Sequence, residues 1–194
     1  WIGDDGLDFP FPAQVAGMLR PAAAATPTYF MHGNRDFMVA ARFCAETGIR
    51  ALPDPSVIDL YGEPTLLLHG DTLCTGDVAY QEFRARVRDP AWQAAALRMS
   101  AAQRLAIARD MRSRSEGAKE GKGEAIMDVA PEAVERAFVD SGCRRMIHGH
   151  THRPARHAHV AGGRDCERWV LADWYEGGGY LLADPAELQA VALP

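Results

Sequence analysis

The 194-residue chain is short of several features that would assign it to a class at once. No apolar run approaches the roughly 18 residues of a membrane-spanning helix, and no signal peptide is read at its start, so any membrane contact is expected to be peripheral. No C-x-x-C pair occurs. Cys44, Cys74, Cys143 and Cys166 are scattered, without the dense spacing of a small secreted scaffold, which predicts reduced thiols and a cytoplasmic setting. There is no basic excess either: 21 Lys and Arg face 26 Asp and Glu, a formal charge of −5, which excludes nucleic-acid binding by the surface as a whole. Internal repeats are absent, and low complexity is confined to PAAAATP and EGAKEGKGE.

With 47% hydrophobic residues, the sequence can bury one sizeable core, and one soluble domain over residues 1–194 is expected. The chain opens WIGDDGLDF, without methionine and on an acidic turn, so it reads as a fragment of something already under way. TYFMHG (28–33), PTLLLHG (64–70) and RRMIHG (144–149) are short β-prone apolar runs, each ending in His-Gly, and each predicts a buried strand. Helical patterns lie between them in PAQVAGMLRPA, FMVAARFCAETG and DVAYQEFRARVRD. Ser100 and Gln103 form a capping-box signature for a helix over SAAQRLAIARDMRSRS, and APEAVERAFVDSG carries Pro131 near a helix start and Gly142 as its stop. Residues 116–124 read as a loop. HAHVA, RWVLADW, GGYLLAD and LQAVAL then read as successive strands, where the sheet is expected to turn antiparallel or mixed. Strands alternating with helices predict an α/β core.

Open α/β sheets place their chemistry where strands end, and three of these strands end in HGN, HGD and HGH. A lone histidine there is an ordinary polar terminus, as expected for His32, and His157 and His159 read as plain strand positions. The recurrence is different. Asn34, His69, His150 and His152 can converge from three strand ends, an imidazole and amide set suited to manganese, zinc or iron.

GNRD (33–36), HGD (69–71) and GHTH (149–152) resemble the binuclear metallophosphoesterases of the calcineurin-like class, whose pattern is D-x-H, G-D, G-N-[HR]-[DE], a strand-end H and G-H-x-H. Within that class, WIGDD, YFMHGNRDF, LLLHGDTLCTGD, AIMDV, IHGHTHRP and WVLADWYEGG look like the UDP-2,3-diacylglucosamine diphosphatase branch, over essentially the whole chain. The resemblance implies a four-layer αββα sandwich with a helical insert at about 76–124, here missing its N-terminal βαβ portion. It implies that Asn34, His69 and His150 are ligands of one Mn2+ and that His152 is a ligand of a second. The complete enzyme would hold two ions and this chain at most one well, because no D-x-H occurs in it. As a truncated chain it is expected to be inactive alone.

The implied reaction splits the diphosphate of UDP-2,3-diacylglucosamine into UMP and 2,3-diacylglucosamine 1-phosphate (lipid X), a step of lipid A biosynthesis, with Arg35 and His150 as catalytic residues. Arg35 stays protonated at neutral pH and cannot donate a proton, but it suits a phosphoanhydride, whose leaving group needs only charge stabilisation. The alternative for Arg35 is a surface ion pair with Asp36. From Arg98 to Lys122 seven basic residues face three acidic ones, a local net of +4, and Leu97, Ala101, Leu105, Ala108 and Met111 recur at helical spacing. Such a helix can lie on an anionic membrane surface or cover an acyl chain, or it can be a hairpin packed on the core with a solvated face. The resemblance implies that Asn34, Arg35, Asp77, Ser115, Lys119, Lys122 and His150 contact the substrate, and that the protein sits peripherally on the cytoplasmic face of the bacterial inner membrane with no obligate protein partner. Another metallophosphoesterase activity, or a non-catalytic module binding one metal or a UDP-sugar, stays open as an alternative.

Overall fold

The computed structural model describes residues 1–120, 128–175 and 177–193, with side chains left out at 114–116 and 118–120. The chain forms two compact units, Trp1–Pro53 with Val78–Gly123, and Asp54–Asp77 with Glu124–Pro194.

In the first unit, helix α1 (Pro10–Ala25) starts on a proline, whose missing N–H costs nothing in the first turn. Strand β1 (Tyr29–Met31) pairs in parallel with β2 (Arg50–Leu52), Tyr29 opposite Arg50 and Met31 opposite Leu52. Between them α2 (Ala41–Thr47) is ended by Gly48 at φ 79°, a left-handed position glycine adopts without strain. Leu7, Ala16, Val39, Phe43 and Ile49 form this unit's core, with the Trp1 ring edge-on to Phe43 at 5.4 Å.

Helices α3 (Val78–Val87), α4 (Pro90–Leu97) and α5 (Ala101–Glu120) follow in the same unit. The Asp89 carboxylate caps α4 by accepting the Trp92 N–H at 2.9 Å. The capping box of α5 forms as its sequence predicts: Ser100 N–H donates to Gln103 Oε1 at 2.9 Å, and Gln103 N–H donates to Ser100 Oγ at 3.3 Å. Two expectations are corrected here. Residues 116–120 continue α5 instead of forming a loop, because Glu116, Ala118, Lys119 and Glu120 are good helix formers and outweigh the roughly 1 kcal/mol that Gly117 costs; 121–124 lie outside the described residues. The apolar stripe from Leu97 to Met111 is also split, since Leu97 ends α4 and only the later positions belong to α5. Arg104, 4% exposed, ties the turn between the two helices to the N-terminus: its guanidinium donates to Met99 O and to Ile2 O and pairs with Asp5.

The second unit is built on a five-stranded mixed sheet in the order β3-β4-β5-β7-β6. Strands β3 (Ser56–Leu60) and β4 (Glu63–Leu68) form a hairpin whose two turn residues, Tyr61 and Gly62, both have positive φ (56° and 89°), the tight turn whose twist matches the strands it joins. Helix α6 (Pro131–Ser141) leads to β5 (Arg145–His148), which runs parallel to β4, and Gly142 at φ 69° ends the helix where the sequence predicts. Strands β6 (Ala155–Ala161) and β7 (Arg164–Val170) form a second hairpin, with β7 parallel to β5. Strands β8 (Gly178–Ala183) and β9 (Leu188–Leu193) pair only with each other among the described residues. Strands β2 and β3 are additional to the sequence reading, and β7 starts earlier than the apolar run RWVLADW and stops at Val170.

The amphipathic face of α6 covers one face of this sheet, burying Val134 and Phe138 against Leu66, Leu68, Met146 and Cys166. Phe138 is fully buried, so Phe138→Ala is expected to lower the unfolding free energy by about 3–5 kcal/mol in urea titration. A loss below about 1 kcal/mol would mean that this core collapses around the cavity.

Candidate metal centre

Parallel pairing sets Leu68 opposite His148, so β4 and β5 end together and their His-Gly turns leave the sheet side by side. The Gly149 N–H donates to His69 O at 3.0 Å across that gap. Gly70 takes φ 109°, and a Cβ there would stand 2.7 Å from His148 Nδ1 and 3.0 Å from Gly149 O. Glycine at this place is therefore demanded both by backbone conformation and by close approach. Beyond it His150 is held at φ 66°, a left-handed state costing on the order of 1 kcal/mol or more that persists only where its surroundings dictate it.

That strained turn brings His150 Nδ1 to 3.2 Å from His69 Nε2, with ring centroids 5.0 Å apart and the planes at 72°. Burial pushes the His150 pKa down to about 4, and the neighbouring His69 adds to the shift. His150 is thus a neutral imidazole at physiological pH, with a lone pair for a cation. His152, also left-handed at φ 55°, does not join the pair: its Nδ1 lies 3.4 Å from Asp173 Oδ2, and its ring sits against Tyr175. Among the described residues, no group of three or more His, Cys, Asp or Glu side chains gathers as a metal cluster.

His148, between the two turns, is 1% exposed. Its Nδ1 donates to Gly149 O at 2.8 Å, while its Nε2 accepts from the Arg168 guanidinium at 2.9 Å. Burial pushes this histidine down to about 4 as well, the Gly149 bond opposing and the Arg168 charge assisting. Arg168, buried on β7, also donates to His159 Nε2 at 3.2 Å. Asp128 pairs with Arg153 at 2.5 Å.

The remaining candidates are distributed over both units. Asn34 and Arg35 follow β1 in the first unit, in a turn closed by Asp36, whose carboxylate accepts the Gly33 N–H. Asp36 is therefore engaged with the backbone, and the exposed Arg35 offers its carbonyl to the Trp1 amino group at 2.9 Å. His32 donates from Nε2 to Val39 O at 2.7 Å, the ordinary polar terminus expected of it. Asp77 is half-buried ahead of α3. Ser115 and Lys119 lie on the backbone of α5, whereas Lys122 lies outside the described residues. Arg168 and Asp173 went unread in the sequence. The available signal for Arg168 was a charge in register with Cys166 and Val170, on the inward face of a strand.

Two neutral-capable imidazoles at the carboxyl edge of adjacent parallel strands are a donor set that fits a divalent cation of borderline softness. Comparison with known proteins goes further. No protein-family model matches the chain. It is 48% identical over 202 residues to the UDP-2,3-diacylglucosamine hydrolase of Xanthomonas campestris pv. campestris (strain ATCC 33913), an alignment covering 100% of this chain and 82% of the relative. It is also 50% identical over 194 residues to the protein of that name from Stenotrophomonas maltophilia (strain R551-3), covering 95% of this chain and 77% of the relative. The chain belongs to the UDP-2,3-diacylglucosamine hydrolase family.

Gly70→Ala is expected to be destabilising by about 1–3 kcal/mol in thermal melts and to weaken the His69–His150 contact, because a methyl group at that φ collides with His148 and the Gly149 carbonyl. A wild-type melting temperature would contradict the close approach.

Proposed function

We propose that the protein hydrolyses the diphosphate of UDP-2,3-diacylglucosamine to UMP and 2,3-diacylglucosamine 1-phosphate in lipid A biosynthesis, as a manganese-dependent metallophosphoesterase of the four-layer sandwich type. The observation that carries this reading is the identity of 48–50%, along nearly the whole chain, to relatives whose names state that substrate and hydrolysis. His69 and His150 would hold a Mn2+ ion, with His152 as a further ligand. Bound there, the cation supplies Lewis-acid charge for a phosphoryl oxygen and acidifies water at neutral pH.

The protein's own residues account for the rest. His150 is kept neutral by burial, so ligation requires no proton to be stripped from it at physiological pH. Arg35 is exposed, and in this reading its guanidinium meets the diphosphate. Attack of water oxygen on phosphorus breaks the P–O bond of the anhydride. The departing phosphate is a weak base, so a permanently charged donor serves it better than a proton donor would. Asp77, Ser115, Lys119 and Lys122 complete the substrate contacts in this reading. Leu97 and Met99 at the end of α4, with Leu105 and Ile107 on α5, are each 38–51% exposed and would receive acyl chains at the cytoplasmic face of the inner membrane.

The test is Mn2+-dependent UMP release from UDP-2,3-diacylglucosamine. The 194 residues on their own hold no D-x-H and are expected to turn over poorly, whereas the chain joined to a segment carrying the D-x-H and G-D of the resembled class is expected to be active. In that active form Arg35→Ala should lower kcat by about a hundredfold, the scale of one lost transition-state donor. Full activity in the Arg35 variant would return Arg35 to an ordinary surface residue. Calorimetric Mn2+ binding unchanged by His69→Ala would remove the metal pair.

A further inference from the structure

The His69–His150 contact depends on a backbone state that His150 does not adopt unaided. What holds it there is the Gly149 carbonyl, which accepts from Thr151 N–H at 2.8 Å on one side and from His148 Nδ1 at 2.8 Å on the other. The second of these bonds exists only if the His148 proton sits on Nδ1. Arg168 decides that question: a guanidinium donates and never accepts, so its bond to His148 Nε2 at 2.9 Å requires that nitrogen to carry a lone pair and leaves the proton on Nδ1. Arg168 is itself held in place by His159, diagonally across on the adjoining strand β6, and is only 6% exposed. A guanidinium buried in a core is costly to keep, and here two imidazoles accept from it while the Asp128 carboxylate offsets part of the desolvation of its charge.

We propose that Arg168 is a positioning residue for the histidine pair: through the His148 ring it clamps the Gly149 carbonyl, holds His150 in its left-handed turn, and so aims His150 at His69. This rests on reading His69 and His150 as metal-binding, but the geometry it explains exists without metal. The sheet makes the relay short, because Arg168 on β7 and Met146 on β5 are direct neighbours and His148 stands one pleat further along the same face.

The experiment uses the 194-residue chain, isotopically labelled, without metal and then with Mn2+ alone. Long-range proton–nitrogen spectra of the imidazoles are expected to show His148 as the Nδ1–H tautomer. In Arg168→Met the Nε2–H form should appear, the His69 and His150 ring signals should move, and Mn2+ affinity by calorimetry should fall about tenfold or more, the usual scale for loss of a group that orients a ligand. Arg168→Lys, which keeps an N–H donor, should recover part of both readouts. His148→Phe keeps the ring volume but removes the donor to Gly149, and should reproduce the loss. Ring signals and Mn2+ affinity unchanged in a folded Arg168→Met, or in His148→Phe, overturn the proposal, as does a lysine variant no better than methionine. Failure of the metal reading is separable: it shows as Mn2+ binding indifferent to His69→Ala, while the metal-free ring signals still report on positioning.

Discussion

The parallel pairing of β4 with β5 is the constraint on which the second unit's chemistry depends. Once Thr65 lies opposite Arg145 and Leu68 opposite His148, the chain has no freedom left about where its two His-Gly turns emerge. A slip of one residue would send every side chain of β5 to the other face of the sheet. His148 would then leave Arg168, and Met146 would leave Leu66 and Leu68. The hydrophobic face fixed by α6 and the polar turns at the strand ends are therefore specified together, by one ladder of backbone hydrogen bonds.

Strain in this molecule is concentrated where that ladder ends. Among the described residues, His150 and His152 are two of three non-glycine residues with positive φ, and the third, Tyr61, merely turns a hairpin. Both histidines sit in a run of five residues in which hydrogen bonds converge on one carbonyl, that of Gly149. Alternating histidines in GHTH therefore do not act as equals. One is turned inward to meet His69, and the other is turned toward Asp173 and Tyr175.

Much of this was legible in the residues. Pro131 and Gly142 bracket α6, Ser100 and Gln103 start α5, and Gly70, after the strand-end His69, marks a turn that no larger residue fits. The elements that escaped were short and lacked a local signature: β2 is three residues long, and β3 owes its existence to the hairpin with β4. The division into two units was equally hidden, since it depends on which distant segments share a core and not on any composition break. Arg168 escaped for a related reason. Its role lies in a cross-strand neighbour, and strand register is not written in the spacing of one strand. The motif puts His150 and His152 on an equal footing, but their uneven surroundings follow from backbone dihedrals that the motif does not encode.

The second unit is also discontinuous: Asp54–Asp77 is separated from Glu124–Pro194 by helices that belong to the first. His69 and His150 meet across 81 residues of sequence. As the chain leaves the ribosome, the β3–β4 hairpin appears long before its neighbour β5 exists, and its β4 edge must wait through the synthesis of α3, α4 and α5. Contacts of such long sequence separation form late and slowly. The first unit has its core residues and its helices in hand by then, so it is the natural place for folding to begin. The histidine pair cannot form before α6 and β5 have been made, and its support by Arg168 waits for β7.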